Sequence, residues 1–239
     1  MAELLRHINV VVTGGTGFLG QEVIRQFLRE GARVVTNYRS LEKMTALRDL
    51  VGHNPNLFGI QANLTREEKV EAFFSEAIDL LEKIDVVLHL MGGFWMGGEI
   101  SETPVEKWNE MMELNLHSTF LVARRGFALM KERGEGGKIF TVGAQAALEL
   151  PANMGAYSVS KAAVLALTQV LAREGRAYKI TVNAILPSII DTPANRASMP
   201  EADYSRWITP EEIASVLVSL CRPEASGLSG TLLKMYGKL

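Results

Sequence analysis

The run INVVVTGGTGFLGQEVIRQFL, residues 8–28, constrains this chain more than any other feature. Ile8 to Val12 is short, apolar and β-branched, which predicts a buried strand. Gly14, Gly17 and Gly20 follow at three-residue spacing. Val23, Ile24, Phe27 and Leu28 then recur at the spacing of one helix face. Strand, glycine turn and helix in this order form a phosphate-binding arrangement. Glycine lets the backbone come close to an anion, and the first N–H groups of the helix point at it together with the positive end of the dipole. A glycine turn can also be structural, and the ligand reading gains here because the turn opens a βαβ unit.

Strand-like runs alternate with helical ones along the rest of the chain. Strands are predicted at 8–12, 33–37, 57–61, 85–90, 138–142, 181–186 and 231–235, and helices at 21–30, 41–50, 66–83, 104–133, 156–174 and 210–221. This alternation predicts an α/β fold: a doubly wound parallel sheet of about seven strands with helices on both faces, a single Rossmann domain over 1–239. With 239 residues and 47% hydrophobic composition the chain can bury one large core. Two longer irregular stretches, 92–103 and 187–209, follow predicted strands. They carry Trp95, Met96, Met199 and Trp207, more apolar than ordinary loops, and are expected to wall and cover a site.

Charge and cysteine content narrow the function classes. A net charge of −2 without a run of like charges gives no footprint for nucleic acid or a membrane surface, leaving a small-molecule substrate as the expected partner. The single Cys221 excludes an internal disulfide framework. His7, His53, His89 and His117 are scattered, so no metal site is expected, and each is read as structural or superficial. The first residues lead into a strand without a basic segment or long apolar stretch, and a cytoplasmic location is expected.

Tyr157 and Lys161 stand four residues apart in GAYSVSKAAV, within a predicted helix, so phenol and ammonium should leave one face about a turn apart. A free phenol, with a pKa of about 10, is a poor acid or base at neutral pH, and a nearby cation favours its ionised form. A lone YxxxK is ordinarily an amphipathic helix. Its company changes that.

With these motifs in order, the chain resembles the short-chain dehydrogenase/reductase family from Val10 to Gly237. The resemblance rests on TGGTGFLG at 13–20, HLMG at 89–92 where the family has NNAG, Asn115 in ELNLHSTF, the Tyr157/Lys161 pair, PSIIDT at 187–192 and SGT at 229–231. It implies that Tyr157 transfers the proton. Lys161 would lower the Tyr pKa and hold the nicotinamide ribose, and Asn115 would position a water linking Lys161 to solvent. The nicotinamide cofactor is implied at Gly14, Thr16, Gly17, Phe18, Leu19, Gly20, Tyr38, Arg39, Asn63, Leu64, Met91, Gly92, Gly93, Tyr157, Lys161, Pro187, Ile190 and Thr192. A homodimer or homotetramer is usual in the family.

Cofactor choice follows from the end of the second strand, VVTNYRS. No carboxylate lies between Asn37 and Ser40 to accept ribose hydroxyls, and Arg39 can pair bidentately with a 2′-phosphate, which favours NADPH with NADH left open. Asn63 takes the family's adenine-contacting Asp position and offers both a donor and an acceptor.

One departure is chemical. The family's catalytic Ser would fall thirteen residues before Tyr157, at Ala144, and alanine cannot donate to a substrate carbonyl. Thr141, Gln145, Ser158 and Ser160 are the substitutes in reach. The dihydropteridine reductases share this departure, and VGAQAALELPANMGAY, GGFWMGG and DTPANRASMPEADYSRW are similar to segments of that branch. Its chemistry, hydride delivery to a conjugated C=N system, needs no serine, and Phe94 or Trp95 can stack on a flat heterocycle. The chain departs from that branch in a glycine loop one residue longer, in Asn115, and in Arg39, since the branch is associated with NADH. Three readings follow: a reductase of a conjugated heterocycle such as quinonoid dihydropteridine, a carbonyl or 3-oxoacyl reductase with another donor, and an NADP-binding protein with little turnover.

Overall fold

The β-branched runs at 10–12 and 34–35 are buried on both faces, so each strand alternates between two cores. Val10 and Val12 join one core and Val11 the other, and Val34 and Val35 divide in the same way. This is the pattern of a parallel sheet covered on both sides. In the computed structural model, which describes residues 4–239, the sheet has seven strands. Residues 1–3 of the expected 1–239 unit lie outside the described residues.

In chain order the elements are β1 (Asn9–Thr13), α1 (Phe18–Arg29), β2 (Arg33–Tyr38), α2 (Leu41–Leu50), β3 (Leu57–Gln61), α3 (Glu67–Leu81), β4 (Val86–His89), α4 (Val105–Met111), α5 (Ser118–Arg133), β5 (Gly137–Val142), α6 (Ala146–Glu149), α7 (Gly155–Gly175), β6 (Ile180–Pro187), α8 (Pro193–Ser198), α9 (Pro210–Cys221) and β7 (Leu232–Met235). Every strand pair is parallel, in the order β3-β2-β1-β4-β5-β6-β7. The order reverses between β1 and β4. In open sheets of this kind a ligand sits beyond the carboxyl ends of the strands at that reversal.

One core packs α1, α2 and α9 on the sheet through Ile24, Phe27, Met44, Leu47 and Leu217; the other packs α3, α5 and α7 through Phe73, Phe74, Val122 and Leu171. Full burial of a side chain such as Phe27 or Phe74 stabilises by about 1.5–3 kcal/mol, so the two cores carry the fold. Helix α7 is long and apolar enough to cross a membrane by length and composition. It is a core helix instead, packed on β5 and β6 with Lys161 in the interior.

Two expectations are corrected. The helix predicted over 104–133 is interrupted by a π-helical turn, Met112–His117, because an extra residue is accommodated around Asn115. The stretch 187–209 is not irregular throughout. Thr192 caps α8 by accepting from the Asn195 N–H, Ile190 bridges to Ile208, and Trp207 is buried against Tyr204.

Candidate active site

Beyond the carboxyl ends of β1, β2 and β4 lies a cleft of about 900 Å³. The glycine turn forms its floor. Gly14 holds a left-handed φ of +75°, and its N–H donates to buried Asn37 Oδ1 at 2.9 Å. A Cβ on Gly20 would overlap the Gly14 carbonyl, which fixes glycine where α1 passes the turn. Gly17 caps α1 without a side chain and the first turn holds no acidic residue. The N–H groups of Phe18, Leu19 and Gly20 therefore have no helical partner, which suits a pyrophosphate.

The structure brings Gly14, Thr16, Gly17, Tyr38, Arg39, Asn63, Met91 and Gly92 to one cleft. Sequence reasoning missed Asn37, Lys43 and Thr65, which also line it. The signal for Asn37 was a buried-strand position carrying an amide just before Tyr38 and Arg39. Arg39 and Lys43 are exposed at the start of α2 and make no ion pair among the described residues, so both cations are open to an anion. Across the cleft stand Glu106, Glu110 and Glu113, with Glu110 paired to Lys107 at 2.8 Å. Asn63 is less available than expected, because its Oδ1 accepts from Thr65 N and Thr65 Oγ1, both at 3.3 Å. Leu64 lies wholly in the core beneath α3. Pro187 is buried at the end of β6 with its carbonyl accepting from Gln145 N, the Ile190 carbonyl accepts from Asn195 Nδ2, and Thr192 is spent as the α8 cap.

At the sheet's centre, Asn115, Tyr157 and Lys161 meet the loop after β4. A Cβ on Gly92 would lie 2.9 Å from Asn115 Oδ1 and 3.1 Å from Lys161 Nζ, so both side chains converge on that glycine. Asn115 is fully buried; it accepts from Gly93 N at 2.8 Å and donates to the Gly93 carbonyl at 3.1 Å and to Ser160 Oγ at 2.9 Å. Ser160 in turn donates to the Tyr157 carbonyl at 2.7 Å. Both Nδ2 donors are thus spent on protein, and the Asn115 side chain fixes a loop rather than presenting itself to solvent.

Lys161 Nζ donates to the Val142 carbonyl at 2.9 Å, and burial lowers its pKa to about 8. The phenol of Tyr157 makes no hydrogen bond among the described residues, and burial pushes it up to about 12. Desolvation is what raises Tyr157, and the lowering expected from Lys161 is not expressed in this arrangement. Phe94 packs edge-on against Tyr157, ring centroids 5.0 Å apart, and is itself 63% exposed.

Ala144 is buried and offers no donor. Of the four substitutes, Thr141 is paired with Thr168 at 2.7 Å, Ser160 is spent between Asn115 and Tyr157, and Ser158 is buried without a partner. Gln145 remains, its amide donating to exposed Glu149 at 2.8 Å.

The model of the family described as enoyl-(acyl carrier protein) reductase matches residues 17–237. An NAD-dependent glycerol dehydrogenase of Listeria innocua is 32% identical over 95% of this chain and 91% of that protein. A 3-oxoacyl-[acyl-carrier-protein] reductase of Vibrio cholerae is 28% identical over 95% of each. Among solved structures, a short-chain dehydrogenase from Bacillus anthracis superposes with a TM-score of 0.88 at 28% identity, covering 98% of this chain and 96% of that one. Seven parallel strands, a glycine turn at the sheet's reversal and an Asn–Tyr–Lys group with Asn115 and Lys161 buried and Tyr157 half-buried, together with these relatives, show that the chain is an oxidoreductase of the short-chain dehydrogenase/reductase family.

Proposed function

We propose that this chain is an NADPH-dependent reductase that acts on a conjugated, flat small molecule such as a quinonoid dihydropterin. The observation that carries this reading is Ala144: the position that should grip a ketone oxygen is a buried methyl group, and three of its four substitutes are internally engaged or enclosed. A C=N acceptor has no need of that grip. Exposed Phe94 beside Tyr157 supplies an aromatic face for a planar ring.

The residues fit a nicotinamide cofactor. The first turn of α1 suits its pyrophosphate, and Arg39 with Lys43 suits a 2′-phosphate. When bound, that cofactor supplies the hydride. Tyr157, held protonated by burial, is poised to give its proton to the reduced substrate, which matches the reductive direction. Lys161, still largely cationic at neutral pH with a pKa of about 8, favours the phenolate left behind. Asn115 fixes Gly93 and, through Ser160, the turn carrying Tyr157. A cytoplasmic location and assembly as a homodimer or homotetramer belong to the same reading.

The relatives favour a second reading. Their names are glycerol dehydrogenase and 3-oxoacyl reductase, not dihydropteridine reductase, and the former is NAD-dependent. Gln145, adjacent to Ala144 and tied only to an exposed carboxylate, is the group that could then serve a carbonyl oxygen. A turnover screen with NADPH and NADH against quinonoid dihydropterin, quinones and 3-oxoacyl esters decides between them. Turnover of the oxoacyl ester without any of the pterin would sink the first reading.

A further inference from the structure

His89 ends β4, directly between Thr13 of β1 and Thr141 of β5 in the sheet register, and is wholly buried. Its Nδ1 lies 2.8 Å from Thr13 Oγ1 and its Nε2 lies 3.1 Å from Ser118 Oγ. The Ser118 hydroxyl spends its hydrogen on the Leu114 carbonyl at 2.7 Å. It can therefore only accept from His89, which places the imidazole proton on Nε2 and makes Nδ1 the acceptor for Thr13. One tautomer is imposed.

That chain ends at the π-helical turn. A π turn shifts the amides that would take the preceding carbonyls, and here two adjacent carbonyls are taken by hydroxyls one turn on: Leu114 by Ser118, and Asn115 by Thr119 at 2.5 Å. Ser118 is the one tied back to the sheet, through His89. Leu114 is the residue immediately before Asn115, so the sheet grips the turn next to the residue that fixes Gly93 and Ser160.

We infer that His89 is a positioning residue: through Ser118 it locks the π-helical turn to β4 and thereby sets the place of Asn115. This rests on the reading of Asn115, Tyr157 and Lys161 as the reacting group. It assigns unequal weight to the two arms of the imidazole. The Ser118 arm holds the turn, and the Thr13 arm orients the ring.

Three substitutions separate the arms. The amide nitrogen of glutamine reaches as far as Nε2 and keeps the donor to Ser118. The amide oxygen of asparagine reaches only as far as Nδ1 and keeps the acceptor for Thr13, and leucine keeps neither. In His89→Leu and His89→Asn we expect kcat to fall on the order of tenfold or more with KM for NADPH little changed, and His89→Gln to restore most of it. Ser118→Ala should reproduce the His89→Leu loss without adding to it in the double variant. A readout independent of turnover is hydrogen exchange of the Asn115 side-chain amide by NMR, which should accelerate on the order of tenfold in the Leu, Asn and Ser118→Ala proteins and stay slow in the Gln protein. Equal protection in all of them overturns the inference, as does rescue by Asn instead of Gln. If His89→Leu fails to fold, Ser118→Ala and the Asn–Gln comparison still decide it. Tyr157→Phe run alongside reports on the underlying reading: full turnover there removes the proposed site while the amide exchange still judges His89.

Discussion

Asn115 and Gly93 hold each other at two points, the Gly93 N–H donating to Asn115 Oδ1 at 2.8 Å and Asn115 Nδ2 donating to the Gly93 carbonyl at 3.1 Å. The pairing needs a short side chain that both gives and takes, and the amide's second N–H reaches Ser160. Asn115→Asp keeps the length but sets a carboxylate against the Gly93 carbonyl in a fully buried place. An unmet buried polar pair costs about 1–3 kcal/mol, more for a charge. A fall in Tm and a loss of at least tenfold in kcat are expected on the order of these energies. A variant with wild-type melting and kinetics would show that the clamp holds nothing.

Tyr157→Phe removes a phenol that makes no hydrogen bond to the described residues and stands beside Lys161 and Phe94. Loss of a positioned acid costs about 10² or more in rate, so kcat should fall by that factor while NADPH binding, followed by fluorescence titration, stays nearly intact. Unchanged turnover would remove Tyr157 from the mechanism and point to direct protonation by water.

Arg39 and Lys43 flank the start of α2 and line the same end of the cleft. Arg39→Asp replaces a charge-assisted contact with repulsion of a 2′-phosphate, and NADPH KM should rise by about an order of magnitude or more while relative use of NADH improves. Lys43→Ala should act in the same direction and less strongly, since an ammonium meets phosphate as a point charge. If both cofactors give equal kinetics before and after the changes, neither cation reads the phosphate.

His89 makes a prediction about acid. Burial, with a smaller contribution from the Lys161 charge, lowers its pKa to about 3 from 6.5, so the unfolded chain takes up a proton that the folded chain refuses. Stability is therefore full above pH 6.5 and is lost as the pH falls toward 3, at up to about 1.4 kcal/mol per unit. The part of the slope between pH 6.5 and 5 that disappears with the imidazole belongs to His89. Urea unfolding at stepped pH should show this slope in the wild type and not in His89→Gln. An identical slope in both would place the proton elsewhere.

Much of this site was legible in the sequence because local rules govern it. The glycine turn, the seven alternating strands and the YxxxK pair each depend on residues within a few positions of one another. What stayed hidden depends on distance. Asn37 closed the predicted strand 33–37 with no role assigned to it, yet it anchors Gly14, 23 residues away. His89 looked structural or superficial, and its tautomer is set by a serine 29 residues on. The π-helical turn left a trace in the Ser118–Thr119 pair after Asn115, but two hydroxyls in a helix bond back to i−4 carbonyls in regular helices too. The rise of the Tyr157 pKa could not be read from a neighbouring lysine, because it comes from burial by the whole fold.

Ala144 separates the two enzymatic readings. It lies buried beside Gln145 at the end of β5, with Thr141 and Ser160 both committed elsewhere. A serine there would add a hydroxyl donor, and a donor aimed at a developing oxyanion is worth about 10²–10³ in rate where the substrate has one. A conjugated C=N substrate develops no such oxygen. Ala144→Ser should therefore create or strengthen reduction of simple ketones and leave turnover of quinonoid dihydropterin nearly unchanged, because only an interaction made in the transition state raises kcat. The measurement is kcat/KM for both substrates in both proteins. Good reduction of ketones by the wild type, with no reduction of the pterin, would refute the heterocycle reading and make Gln145 the donor to replace next. Tight NADPH binding with no turnover of either substrate would instead favour a cofactor-binding protein, in which Ala144 marks a site that has given up its chemistry.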